Sequence, residues 1–63
     1  MSPGRDKEIL AVVTRDPGQV RGGVAVFTEP DEEARKEMAF LLGRILDAMV
    51  HDIGGDMWVI VRH

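Results

Sequence analysis

Hydrophobic residues come in three short runs and one long periodic one, with turn-forming residues between them. EILAVVT (Glu8–Thr14) and VAVF (Val24–Phe27) are β-branched and apolar, and each predicts a strand. Asp16-Pro17-Gly18 and Gly22-Gly23 lie between them, so the two strands are expected to pair as a hairpin across a longer loop. From Thr28 the period changes. Thr28 and Asp31 have capping-box spacing, and Pro30 fits a first helical turn. Glu29, Asp31, Glu32 and Glu33 put negative charge at the positive end of a helix dipole. The predicted helix runs to about Ile53, with Gly54 as the residue that ends it. MWVIVRH (Met57–His63) is the last strand, and the pattern leaves open whether it lies beside the first or the second. The expected fold class is α+β in the order ββαβ: a three-stranded sheet with one long helix packed on one face.

Neither element shows a clean wet side. At 100° per residue, the apolar positions between Ala34 and Ile53 fill an arc of about 200°, roughly twice what covering one sheet requires. The strands are apolar on both faces: Ile9, Ala11 and Val13 against Leu10 and Val12, and Trp58 and Ile60 against Met57, Val59 and Val61. One helix covers one face, so the second face is expected to be buried by self-association. Ala39 and Gly43, an i,i+4 pair of small residues beside Leu46 and Val50, form the flank where a second helix is expected to approach; Trp58 and Ile60 complete the expected self-interface. The plainer account of Gly43 is a tolerated helix defect costing ~1 kcal/mol.

Size points the same way. A chain of 63 residues is read as a single domain, 1–63, with 1–7 as a flexible arm. Surface scaling gives burial on the order of 6,000 Å² on folding. If somewhat over half of that is apolar, it contributes roughly 90 kcal/mol at ~25 cal/mol per Å², against an ordering cost of about 95 kcal/mol. Such a domain needs a staple or a partner. Without cysteine there is no disulfide, and two histidines without a thiolate do not make a structural zinc site. Association with another copy is the remaining route. The absence of a long apolar run and of cysteine gives a cytoplasmic expectation.

Charge and motifs narrow the chemistry. The net charge of −3 argues against a general nucleic-acid binder, although Arg5, Lys7, Arg15 and Arg21 leave the first third of the chain slightly basic. Arg15, Gln19 and Arg21 on the loop are the candidate contacts to an anion or nucleic acid; the lone RGG at 21–23 reads as loop. Asp47 and His51 sit at i,i+4 on the polar side of the predicted helix, which would bring two metal ligands together, but a solvated pair with a histidine near the helix C-terminus is the plainer account. Phe40 stands among charges, as a partner anchor or as packing for the N-terminal arm. Phe40, Arg44, Asp47 and His51 are therefore the expected partner-binding set. Gly54-Gly55-Asp56 shares three residues with the glycine-glycine-acid turn of diguanylate cyclases; Met57 and Trp58 replace the acid and aromatic expected next, and the glycines are read as the helix cap.

No nucleophile–base pair, paired-carboxylate signature or phosphate-cradling glycine pattern is present. No cofactor is expected. The favoured reading is a small, homo-oligomeric, non-catalytic regulatory or interaction protein that binds itself and another protein. The alternatives are an oligomeric nucleic-acid binder using the Arg5/Lys7/Arg15/Arg21 region, and a small-ligand protein with an interface site.

Overall fold

The computed structural model describes residues 8–62, so the expectations for the 1–7 arm and for His63 lie outside the described residues. Four strands and one helix follow in the order β1 (Glu8–Thr14), β2 (Ala25–Thr28), α1 (Glu32–Leu46), β3 (Met49–Gly54) and β4 (Met57–Arg62). The strands form one mixed sheet, β2-β1-β4-β3. This corrects the expected three-stranded ββαβ arrangement. The expected hairpin between the first two strands is also absent: β1 and β2 run parallel, Val12 beside Val26 and Val13 beside Phe27. Segment 15–24, which contains a short 3-10 turn at Pro17–Gln19, carries the chain back to start β2. β4 pairs antiparallel with β1 on one side and β3 on the other.

The helix begins one cap later than expected. Asp31, not Thr28, is the N-cap: its carboxylate accepts from the Ala34 N–H at 2.8 Å, while the Glu29 carboxylate accepts from the Asp31 N–H at 3.1 Å. It also ends much earlier, because Asp47 adopts the left-handed conformation (φ 54°, ψ 53°). The Asp47 N–H then donates to the Arg44 carbonyl, and the Ala48 N–H donates to the Gly43 carbonyl at 2.9 Å. Residues expected in the helix's last two turns become β3. Gly54 is consequently no helix cap. Gly54, Gly55 and Asp56 all have positive φ, and Gly55 and Asp56 form the two-residue connection of the β3–β4 hairpin.

The core lies between α1 and the sheet. Ala11, Val13, Ala39 and Ile60 are its buried centre, with Met38, Leu42, Ala48, Val50 and Trp58 packed around it. Ala39 and Gly43 let the helix sit close to the strands; a Cβ on Gly43 would come within 2.5 Å of Val50 Cγ2 and 3.3 Å of the Ala48 carbonyl oxygen. The inner strands are buried on both faces at their centre. β1 and β4 are the two inner strands, and Val12 and Val59, which alternate with the helix-facing residues, are buried as well. The edge strands stay open, with Val26, Met49 and Ile53 exposed. Among the described residues no helix is long and apolar enough to cross a membrane.

The Gly43 geometry gives a test. Alanine at this position gains about 1 kcal/mol of helix propensity but must displace a β-branched side chain with few rotamers, at a cost of about 1–3 kcal/mol. Gly43→Ala is expected to lower stability in urea denaturation, and Val50→Ala in the same chain to make the added methyl favourable. A stabilised Gly43→Ala single variant would disprove the close approach.

Candidate functional site

Among the described residues Arg35 is the one charged side chain that is buried, 2% exposed on the sheet-facing side of α1. Its NH1 group donates to the Glu29 and Pro30 carbonyls, each at 3.0 Å, and its NH2 group donates to Asp56 Oδ1 at 3.3 Å. Asp56 also reaches Arg15, through Oδ2 at 3.6 Å. One guanidinium thus ties the start of α1 to the β3–β4 turn, and one carboxylate ties that turn to the end of β1. Arg35 Nε is buried without a hydrogen-bond partner. Next to Asp56, Thr14 is fully buried; its hydroxyl accepts from the Asp16 N–H and donates to the Asp16 carbonyl.

Two open clefts of about 400 Å³ flank this brace and share Gly55 and Asp56. The first is walled by Glu32, Glu33, Lys36 and Asp52 with Trp58 at its side, a mostly acidic lining. The second contains Arg15, Asp16 and Gln19. Both Asp56 oxygens are engaged by arginines, so the cluster acts as a brace in which one carboxylate is shared by a buried and an exposed guanidinium. Among the described residues no group of three or more histidine or acidic side chains is placed to hold a metal ion.

The rest of the helix surface is different in kind. Phe40, Leu41, Ile45 and Leu46 are all exposed, Ile45 to 67%. Leu41 and Ile45 share one flank at i,i+4, and Phe40 stacks on Trp58 from the other, with ring centroids 5.6 Å apart and planes tilted by 58°. Exposed apolar residues at this spacing, with Arg44 and Glu37 between them, have the makeup of an anchor surface for another protein.

The residues singled out from sequence are placed unevenly. Of the expected self-interface, Ala39 and Ile60 are fully buried in the chain's own core, and Gly43 faces Val50 of the same chain. Val50 and Trp58 line that core, while Leu46 stays exposed. Of the expected partner set, Phe40, Arg44 and Asp47 stay together at the outer side and end of α1. His51 does not join them: it lies on β3 beside Val59, on the sheet face away from the helix, so no i,i+4 pair with Asp47 exists. Arg15 and Gln19 share a cleft, but Arg21 is not part of its lining and Arg15 faces Asp56. Sequence reasoning missed Arg35, whose angular position among apolar residues was the available signal, and Asp56, hidden by taking the glycine pair for a helix cap.

Comparison with known proteins adds two findings. A family model described as "Capping complex subunit for YIEGIA" matches residues 6–63. The chain is also similar to the "Uncharacterized protein YpzH" of Bacillus subtilis (strain 168), 40% identical over 63 residues, covering all of this chain and 98% of that protein. No solved structure matches it.

The brace yields an ordered prediction. Arg35→Ala leaves two carbonyls and a carboxylate without their donor and is expected to cost about 2–4 kcal/mol, the lower part of the range for broken buried pairs because Asp56 is half exposed. Arg35→Lys supplies a charge but not the fork, and recovers less than half of that. Asp56→Asn tolerates the left-handed turn and costs about 1 kcal/mol or less. Equilibrium urea titrations check the order, and equal losses for all three would exclude the brace.

Proposed function

The chain belongs to the family of capping complex subunits for YIEGIA, and from that premise we propose that it binds YIEGIA and regulates it by covering part of its surface. Membership makes it a small protein-interaction component with protein partners in a complex. In the fuller reading it acts without catalysis and is itself homo-oligomeric. The observation that supports the reading is the extent of the family match: residues 6–63 take in every described strand and the helix.

The surface of α1 supports this reading and supplies a place for the contact. Leu41 and Ile45 would anchor YIEGIA, with Phe40 beside them and Arg44 and Asp47 as a polar rim. Exposed side chains of this size are costly to leave in water: burying one contributes about 1.5–3 kcal/mol. A nucleic-acid reading has less support: of its candidates, Arg15 faces Asp56, and Arg5 and Lys7 lie outside the described residues.

Co-expression with YIEGIA of the same organism and affinity capture tests the proposal. The wild-type chain is expected to retain YIEGIA, and Ile45→Asp to reduce retention by about tenfold or more while leaving the melting temperature nearly unchanged, because the site is exposed. A wild-type chain that retains no YIEGIA would overturn the reading.

A further inference from the structure

We infer that the open edge of β2 pairs with the same edge of a second copy, antiparallel and about a two-fold axis through Phe27. The inference rests on the self-associating part of the function proposed above and adds to it a surface, a register and a geometry.

The direction of the β2 backbone follows from one hydrogen bond. The Glu29 N–H donates to the Thr14 carbonyl at 3.0 Å, so Glu29 faces β1. The N–H and C=O of one residue point to the same side of a strand, and the side alternates along the chain. Ala25 and Phe27 therefore also face β1, in keeping with the register of Val13 beside Phe27. Val26 and Thr28 turn their N–H and C=O outward, and no described residue pairs with them.

Proteins ordinarily defend such an edge with charge, proline or a bulge. The other edge of this sheet is defended: β3 carries His51 and Asp52, its pairing is interrupted between Asp52 and Gly54, and the Asp52 carboxylate accepts from the Gly54 N–H. β2 has none of these devices. It reads Ala-Val-Phe-Thr, its ladder with β1 is regular, and every residue in it is exposed.

Self-complementarity identifies the occupant. In the register centred on Phe27, Val26 lies opposite Thr28 of the partner subunit and Thr28 opposite Val26 of the partner subunit. All outward groups of the two strands then close into four hydrogen bonds. Phe27 meets Phe27 of the partner subunit at the non-hydrogen-bonded position, where side chains approach most closely. Phe27 is 39% exposed on the helix side of the sheet, so each ring gains a partner where it now has water. Neither strand carries a charge between Ala25 and Thr28, so no like charges face each other across the axis. The product is a continuous eight-stranded sheet whose outer edges are both the defended β3. Four residues a side make a contact below the standard size of ~1,600 Å², so the dimer is weak and concentration-dependent.

Sedimentation or light scattering of the purified full chain from about 1 to about 500 µM tests this, since a contact of this size is expected in the micromolar range. The wild type should pass from monomer to dimer. Val26→Pro removes an outward N–H and spares the β1 ladder, so it should remain monomeric with the wild type's low-concentration melting temperature. In wild-type protein, with no substitution to perturb folding, the Val26 and Thr28 amides should exchange with solvent more slowly as concentration rises. A wild type monomeric throughout, a Val26→Pro variant that dimerises as the wild type does, or exchange at those amides independent of concentration would each overturn the inference. The same chains carried through YIEGIA capture separate the two claims: lost pairing with retained capture removes the edge dimer alone, and a wild type that dimerises without capturing YIEGIA removes only the heterologous partner.

Discussion

The left-handed turn at Asp47 is the constraint on which this structure depends. It stops α1 after Leu46 and turns the chain back beneath the helix, so that Ala48 and Val50 pack against the face they have just left. A close approach makes that possible. Gly43 has no side chain where Val50 arrives, and its carbonyl accepts the Ala48 N–H that closes the turn. Had the helix continued to Ile53, β4 would be an edge strand with one row of backbone N–H and C=O groups unpaired. With β3 in place, β4 is interior and its composition fits its position.

Around that reversal the molecule separates two kinds of surface. At the N-terminal end of α1, buried Arg35 and half-exposed Asp56 hold three segments together. Along the outer helix and the β2 edge the opposite holds: large apolar side chains are exposed, and the outward-facing backbone groups of Val26 and Thr28 have no partner among the described residues. A subunit of a capping complex needs both, a frame that keeps its shape and surfaces left for others. The helix flank and the open edge are separate surfaces on the molecule.

Much was legible in the residues alone: β1, β2 as far as Phe27, a helix opening within Thr28–Asp31, though capped at Asp31 and not at Thr28, and a final strand from Met57, since each rests on local chemistry such as β-branched runs, an acidic first turn and turn residues between them. The excess apolar surface was legible too, but its cause was misassigned. The 200° arc contained residues of β3, because Met49, Val50 and Ile53 satisfy a helical and a strand period over so short a stretch. Only contacts distant in sequence separate those alternatives. Val50 against Gly43 and Ile60 requires the strand, and no local preference encodes that. The parallel pairing of β1 with β2 was likewise decided in three dimensions, because a loop with turn residues permits either direction and the ladder with β4 leaves β2 only the remaining edge of β1. Arg35 is the sharpest case: its angular position falls among the apolar residues of the helix, and only the fold supplies the two carbonyls and the carboxylate that let it be buried.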